Sequence, residues 1–319
     1  MRPVSSFDPF VPGRLSFLGN TFFLIGVMVL YPLMGAVLFS FVSSTGHAGV
    51  SLLHIDRSML PSIRIIQAVG QIVVLALPVV VLAAWHTRRK NPFSLESLAF
   101  LGIRRDFNIG EAGLAVCGIF FLQPLLYTIT ALQDVYLWPS LGAAGAEVVR
   151  QRDTMELFIR ELALVRSAPE FFSVVFVLAV IPAVCEELLF RGYIQQNYSR
   201  SMSSGGAVLL TGCVFAFFHL SAANLVPLCL LGWYIDYIYS KTGNLGVPFC
   251  VHFLNNFAAL LLLLFIEPMD PVSQVHPDFL FKALWWWPLV GVSLLLFVMV
   301  VRRFSAEFSP KMEVVEKKG

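Results

Sequence analysis

The sequence predicts an all-α fold of about eight transmembrane helices, with one further amphipathic helix lying in the membrane interface. The 319 residues are 57% hydrophobic and only 13% charged, whereas soluble domains are about 45–50% apolar and about 25% charged. Mean hydropathy is +0.77. The apolar residues also fall in runs of about 20, the length that crosses a bilayer. Together these observations are typical of a polytopic membrane protein.

Eight apolar segments qualify as predicted spans. They cover about 17–42, 65–85, 110–133, 171–198, 205–222, 224–240, 247–266 and 284–301. The first is too long for a signal-peptide core of about 7–15 residues, so we interpret it as an uncleaved anchor. The sixth is short and contains Asp236. Because Asp236 lies near the cytoplasmic end of that span, we expect its carboxylate to reach water.

Basic residues predict the orientation of the spans. Two segments are rich in them: 86–109 holds Arg88, Arg89, Lys90, Arg104 and Arg105, and the C-terminal segment holds Arg302, Arg303, Lys311, Lys317 and Lys318. Cytoplasmic loops carry an excess of Lys and Arg, and eight spans place both segments on one side. We therefore expect an integral multi-pass protein of a bacterial plasma membrane, with both termini cytoplasmic and the lipid bilayer as a partner. The four arginines of 134–169 fit this orientation less well.

The connection after the third span has a helical pattern of its own. Met155, Phe158, Leu162 and Val165 recur at helical spacing, and charged residues fill the other faces. This pattern predicts an amphipathic helix in the interface. It either bridges two spans as a surface helix or gates substrate access.

Composition argues against two other kinds of site. The net charge is only +2, and no basic cluster with interleaved aromatic residues is present, so we expect no nucleic-acid partner. The five cysteines lack CxxC spacing. We therefore expect neither a disulfide framework nor a thiolate zinc site.

Three charged residues stand in the fourth span, within FFSVVFVLAVIPAVCEELLFRGYIQQNY. They are Glu186, Glu187 and Arg191. A single charge at a helix centre costs about 2.5–3.5 kcal/mol on insertion scales, and such residues mark function by default. Glu187 and Arg191 are four residues apart and can pair, while Glu186 points about 100° away around the helix. The alternative is a buried ion pair that only tethers helices.

Further polar residues follow in two later spans. Phe215 and His219 lie four apart in the fifth span, and His252 and Asn256 lie four apart in the seventh. At about 1.5 Å per residue, Glu186, His219 and Asn256 all lie roughly 15–21 Å from the ends of their spans. His252 would be shallower, at about 9 Å, unless the segment 243–246 enters the membrane.

Each of these polar residues alone could simply form hydrogen bonds that join two helices. Their convergence at one depth instead favours a reaction site. A carboxylate beside a neutral histidine can activate water. Histidine and asparagine donors can stabilise a developing oxyanion. The residues therefore predict peptide hydrolysis inside the membrane.

The segments EELLFR, FAFFH and HFLNN resemble the EExxxR, FxxxH and HxxxN/B motifs of the CPBP family of intramembrane proteases. This family includes the type II CAAX prenyl endopeptidases and the bacterial Abi, bacteriocin-immunity-type proteins. The segment KTGNLGVPFCVHFLNN resembles the run before the third motif, and the resemblance covers about 171–266. It implies an intramembrane endopeptidase that cleaves a membrane-associated protein or peptide near a membrane-adjacent or C-terminal segment.

The resemblance also implies a role for each motif residue. Glu186 would be the general base that activates water, with His219 as its partner. His252 and Asn256 would stabilise the oxyanion. The supporting residues would be Glu187, Arg191 and Phe215.

The family has been described both as glutamic proteases and as metalloproteases, and we favour the glutamic type without a cofactor. Zinc or another divalent metal is the alternative, with Glu186, His219 and His252 as ligands. Two histidines and a carboxylate can hold zinc and leave a position open. Here, however, the ligands would come from three helices and no HExxH motif is present.

These predictions divide the chain into five parts. They are an N-terminal three-helix region (1–133), an amphipathic connecting segment (134–170), a catalytic core of spans four to seven (171–266), the last span (267–303) and a polar cytoplasmic tail (304–319).

Two other functions compete with proteolysis. A transporter or proton-coupled carrier could use the same buried charges, although we find no internal repeat. A non-catalytic membrane scaffold is the third reading, although a scaffold has no need of costly buried charges.

Overall fold

The structure is a computed structural model that describes residues 15–43, 57–265 and 279–307. Within these ranges the chain is helical and contains no β-strand, so the predicted all-α class is confirmed. The predicted polar tail, 304–319, lies mostly outside the described residues, as does the first part of the predicted segment 267–303.

Eleven helices make up the described part of the chain. In order they are α1 (Phe17–Ser43), α2 (Arg57–His86), α3 (Leu95–Phe100), α4 (Ile109–Ser140), α5 (Ala143–Ala163), α6 (Ala168–Ser201), α7 (Ser204–Phe218), α8 (Leu225–Thr242), α9 (Gly246–Phe265), α10 (Phe279–Lys282) and α11 (Trp286–Glu307).

Six of these helices are long and apolar enough to cross a membrane: α1, α2, α4, α6, α9 and α11. The fifth and sixth predicted spans correspond to α7, which has only 15 residues, and to α8, which carries Asp236 and Lys241. The count of eight spans is therefore not confirmed. The third span extends to Ser140 rather than to residue 133, and α5 forms the predicted separate helix after it. Leu162 and Ala163 at its end are buried.

Prolines explain three irregular turns inside the long helices. In each case five residues form a wider π turn, and a proline follows two residues after that turn ends. The turns are Ile72–Ala76 before Pro78, Gln133–Leu137 before Pro139 and Phe176–Val180 before Pro182. A proline cannot donate to the carbonyl four residues earlier and its ring collides with it, so the preceding turn widens. A fourth π turn, Phe190–Gln195, contains Arg191 and has no such proline.

Arg64 of α2 joins the end of α5 to the start of α6. Its Nε and Nη2 atoms donate to the carbonyl oxygens of Leu162 (2.9 Å) and Leu164 (2.5 Å), and its Nη1 donates to the Glu170 carboxylate (2.8 Å). The guanidinium therefore satisfies carbonyls that the end of a helix leaves without partners. These contacts place the first residues of α2 and α6 on the same side of the helix bundle.

Two connections meet on the opposite side and reach into the bundle. The amide of Leu245, just before α9, donates to the carbonyl of Gly102 (2.8 Å), which lies between α3 and α4. A Cβ atom on Gly192 would lie 3.0 Å from the Leu101 carbonyl oxygen and 3.6 Å from the Leu245 side chain. Both connections are therefore level with Gly192, nine residues before α6 ends at Ser201. At the helical rise, α9 begins about 13 Å deeper than the end of α6.

Glycines allow α7 and α8 to touch through their backbones. A Cβ atom on Gly232 would lie 3.0 Å from the Cα of Gly212, and one on Gly212 would lie 2.8 Å from the backbone nitrogen of Trp233. Small residues permit such close approach between membrane helices. The contact sets the position of α7, whose end carries His219.

We expect Gly212→Ala to destabilise the protein by about 1–3 kcal/mol, because the added methyl group meets backbone that cannot move aside. The measurement is thermal unfolding of the purified protein in detergent. Gly205→Ala is the matched control, since a Cβ atom there meets nothing within 4 Å. Equal unfolding temperatures for the two variants would contradict the close contact.

Candidate active site

The charged triplet lies in the middle of α6 and is almost fully buried. The exposed fraction is 8% for Glu186, 1% for Glu187 and 0% for Arg191. Arg191 Nη1 donates to Glu187 Oε1 at 2.8 Å, so the predicted pair of residues four apart is confirmed. Glu186 is not part of this ion pair, and its Oε2 atom has no hydrogen-bond partner among the described residues.

Arg191 has a second carboxylate partner that the sequence analysis did not identify. Its Nε donates to Asp236 Oδ1 of α8 at 2.7 Å, and its Nη2 donates to the carbonyl of Gly232 at 3.3 Å. The Phe215 ring of α7 lies against the same guanidinium, 4.7 Å from its carbon. Arg191 thus joins α6 to both α7 and α8.

The expectation that Asp236 reaches water was wrong. Asp236 is completely buried, because the face of α8 that carries it packs against α6. A signal was present in the sequence: a lone acid in an apolar span needs a cation, and Arg191 has more donors than the single Glu187 can use.

His252 of α9 stands between the two glutamates. Its Nδ1 lies 2.7 Å from Glu187 Oε1. A carboxylate paired with arginine only accepts, so Nδ1 is the donor and the proton sits there. The other ring nitrogen, Nε2, faces Glu186 Oε2 at 3.8 Å. His252 is therefore level with Glu186 rather than shallower, because α9 begins deep in the bundle.

His219 approaches Glu186 from the end of α7. The helix ends at Phe218, His219 is its C-cap, and Leu220 has a left-handed backbone with φ 51°. The His219 Nδ1 lies 2.8 Å from the Phe215 carbonyl oxygen. A carbonyl only accepts, so Nδ1 donates and carries the proton. Nε2 then faces Glu186 Oε2 at 3.9 Å, and the side chain is 31% exposed.

Phe215 packs both imidazoles into place. Its ring meets those of His219 and His252 edge to face, with centroids 4.7 Å and 5.8 Å away. Phe190 of α6 packs against Phe215 in the same manner at 5.3 Å. Edge-to-face aromatic contacts fix ring orientation as well as burying area, so the two Nε2 atoms are held toward Glu186.

Three hydrogen-bond acceptors consequently converge: two imidazole Nε2 atoms and the Oε2 atom of Glu186. Their separations of 3.8 and 3.9 Å exceed hydrogen-bond lengths of about 2.7–3.2 Å. Acceptors that face one another need a group that supplies hydrogens or positive charge. A water molecule would supply the hydrogens, and a cation would supply the positive charge.

Asn256 lies one turn after His252 on the same face of α9. It is half-buried, and its side chain makes no hydrogen bond within the part of the chain that the structure describes. Its neighbour Asn255 accepts from Gln123 Nε2 of α4 at 2.9 Å. Asn255 is therefore tied to a neighbouring helix, whereas the Asn256 amide is available to another partner.

A divalent metal fits the donor chemistry of Glu186, His219 and His252, since each would offer a lone pair. The spacing is wider than zinc sites require: ligand bonds of about 2.1 Å in a tetrahedron place ligand atoms about 3.4 Å apart. Among the described residues, no group of three or more His, Cys, Asp or Glu has metal-binding geometry.

Comparison with known families identifies this part of the chain. A family model described as type II CAAX prenyl endopeptidase, Rce1-like, matches residues 168–258. Residues 168–258 are therefore similar to this family of membrane proteases, in agreement with the motifs read from the sequence. The Rce1-like segment contains every motif residue from Glu186 to Asn256, and it covers under a third of the chain. No curated protein and no solved structure matches the chain.

We expect Arg191→Met to destabilise this Rce1-like core by about 3–5 kcal/mol, because it leaves two carboxylates buried without their cation. Adding Asp236→Asn should restore part of that loss. The measurement is the unfolding temperature of both variants and of the single Asp236→Asn variant. Arg303→Met is the control, since the exposed Arg303–Glu307 pair is worth about 1 kcal/mol or less. Strictly additive effects of Arg191→Met and Asp236→Asn would contradict the buried contact.

Proposed function

We propose that the chain is an intramembrane endopeptidase of the glutamic type. The Rce1-like segment supports a membrane protease that acts on a protein or peptide substrate. The observation that carries the finer proposal is the Glu186 carboxylate, which is buried, outside the Arg191 ion pair and faced by the Nε2 atoms of His219 and His252. The scissile bond lies near a membrane-adjacent or C-terminal segment of the substrate.

Glu186 is the general base in this proposal. A water molecule at Glu186 Oε2 gives one proton to the carboxylate as its oxygen attacks the substrate carbonyl carbon. The His219 Nε2, which is an acceptor in the observed hydrogen-bonding arrangement, holds the second hydrogen of the water and so orients the attack. Glu186 later passes its proton to the leaving nitrogen, which restores the carboxylate and releases the amine.

Asn256 and His252 stabilise the oxyanion. The Asn256 side-chain amide supplies one N–H donor. His252 donates from Nε2 only when both ring nitrogens carry protons, because Nδ1 is already donating to Glu187. Preorganised donors in a dry site stabilise such an oxyanion strongly.

A divalent metal ion held by Glu186, His219 and His252 would supply Lewis-acid activation of the same water. The protein groups around it would act as described: Glu187 would still fix the His252 tautomer and the Phe215 carbonyl would still fix that of His219. The experiment below therefore includes removal and return of metal.

We expect Glu186→Gln to lower peptide cleavage by about 10²–10⁴-fold, since the amide cannot take the proton from water. The assay uses purified protein in liposomes and a peptide library that contains prenylated and unprenylated members. Unfolding temperature should stay close to that of the wild type, because Glu186 is in no ion pair with Arg191. Glu147→Gln is the control, as Glu147 lies on α5 and pairs only with its neighbour Arg150 among the charged groups of the described chain.

Three outcomes of this assay would overturn parts of the proposal. Full cleavage by Glu186→Gln would remove Glu186 as the base. Loss of activity with a chelator, and its return with zinc, would replace the glutamic mechanism with the metal-dependent one. Proton flux that depends on Glu186, without cleavage of any peptide, would favour the carrier.

A further inference from the structure

The connection between α2 and α4 carries an excess of positive charge. Residues 87–108 contain five basic residues and only two acidic ones. Both acidic residues already pair with a basic neighbour, Glu96 with Arg89 at 2.6 Å and Asp106 with Arg104 at 3.1 Å. Three exposed basic residues have no ion pair within the described chain: Arg88, Lys90 and Arg105. We call these three residues the basic surface.

Short contacts fold this connection around the six-residue helix α3. The Thr87 and Ser97 hydroxyl oxygens lie 3.0 Å apart, so the start of the connection touches α3. The Ile103 amide donates to the Leu98 carbonyl at 2.9 Å, which folds the end of the connection back onto the same helix. Since α3 is only about 9 Å long, the basic surface flanks a single short helix.

Arg88 has a backbone conformation that normally belongs to glycine. Its φ is 54°. Its amide donates to the Trp85 carbonyl (3.1 Å), and the amide of Arg89 donates to the Ala84 carbonyl (2.9 Å). These bonds form the Schellman motif that ends α2, in which glycine is the usual residue at this position. Gly102, just after α3, has the same left-handed backbone. A side chain there adds strain, and such strained positions are concentrated at functional sites.

Exposed apolar side chains accompany the basic ones. Trp85, Phe93 and Leu95 are 66%, 69% and 62% exposed, and Phe107 is 43% exposed. Apolar and basic residues side by side are typical of the membrane interface, where the basic groups meet lipid headgroups and the apolar groups enter the bilayer. A soluble acidic partner would satisfy only the charges.

The positive-inside rule explains only part of this arrangement. The rule accounts for an excess of basic residues on one side of a membrane, whatever their exact positions. It gives no reason for an arginine at a strained position that glycine would fill at no cost. It also gives no reason for aromatic side chains around that arginine.

The inner side of the same connection contacts two helices of the candidate site. The Gly102 carbonyl accepts from the Leu245 amide at the start of α9 (2.8 Å). The Leu101 carbonyl lies against Gly192 of α6, the residue after Arg191. A partner bound to the outer side of the connection therefore stabilises its contacts with both helices.

We propose that the basic surface binds the headgroups of anionic phospholipids, and that this binding stabilises the packing of the connection against α6 and α9. Arg88, Lys90 and Arg105 contact the headgroup phosphates, while Trp85 and Phe93 lie beside the first carbons of the acyl chains. Since net negative charge at the phosphate is what is recognised, phosphatidylglycerol and phosphatidylserine should be equivalent. This inference goes beyond the proposed peptidase function and does not depend on it.

The first test measures quenching of Trp85 fluorescence by brominated lipids, as the difference between proteins with Trp85 and with Trp85→Phe in phosphatidylcholine vesicles. Brominated phosphatidylglycerol should be preferred over brominated phosphatidylcholine by about 10²-fold at low salt, and high salt should reduce the preference. Lys90→Gln and Arg105→Gln should each weaken it by about fivefold. The control is Arg150→Gln, an exposed arginine on α5, which should change nothing. Equal quenching by the two lipids would overturn the proposal.

Arg88→Gly separates a functional arginine from one that is merely tolerated. Glycine relieves the backbone strain, so the unfolding temperature should rise by about 1–4 °C. The preference for phosphatidylglycerol should nevertheless fall by about fivefold. A more stable variant with the full preference would overturn the role of Arg88. A less stable variant would show that Arg88 serves the fold itself, and would overturn it equally.

The second test measures unfolding temperature as the phosphatidylglycerol content of the vesicles rises. The wild type should become more stable, because the lipid binds the folded state, and the triple variant Arg88→Gly, Lys90→Gln, Arg105→Gln should not. Equal lipid dependence of the two proteins would overturn the stabilisation of the connection. Soluble polyglutamate, added without anionic lipid, should have no effect. Stabilisation by polyglutamate but not by phosphatidylglycerol would assign the surface to an acidic protein segment instead. Neither test requires a cleaved peptide, so failure of the peptidase proposal leaves both intact.

Discussion

The Arg191 guanidinium is the contact on which the site depends. It lies fully buried among four helices: it pairs with Glu187 of its own helix and Asp236 of α8, lies against Phe215 of α7, and reaches α9 through the Glu187–His252 bond. A buried cation is tolerated only when its donors are all satisfied. The positions of α7, α8 and α9 around α6 are therefore linked by one charge, and a shift of any of them exposes an uncompensated ion.

The same contact gives two neighbouring glutamates different properties. Glu187 is held by Arg191 and in turn fixes the proton of His252 on Nδ1. Glu186, about 100° further around the helix, stays outside that network and faces the two Nε2 atoms. Because both histidines have their Nδ1 protons committed, they present lone pairs rather than donors to Glu186. The different contacts of the two glutamates thus follow from how Glu187 is bonded, and the two adjacent glutamates in the sequence do not reveal this difference.

The sequence predicted the parts of the site that depend on spacing within one helix. The Glu187–Arg191 pair and the placement of Phe215 beside His219 follow from residues four apart. Contacts between helices were not predictable in this way. The ion pair of Asp236 was missed because its partner is 45 residues away. The depth of His252 was left open, because it depended on whether the segment 243–246 enters the bundle, and that segment does lie level with Gly192. Three π turns precede Pro78, Pro139 and Pro182, but Pro32 and Pro124 lie inside helices without such a turn, so proline alone does not predict them.

Residues outside the matched segment also affect the position of the candidate site. The Tyr31 ring of α1 packs against Phe218, the residue before His219, with centroids 5.8 Å apart. The matched segment, 168–258, contains Glu186 and both histidines but not α1. The position of His219 therefore depends on α1 staying docked. The buried Asn20–Asn197 hydrogen bond (3.0 Å) joins α1 to α6, and the Gln67–Tyr31 hydrogen bond (3.1 Å) joins it to α2.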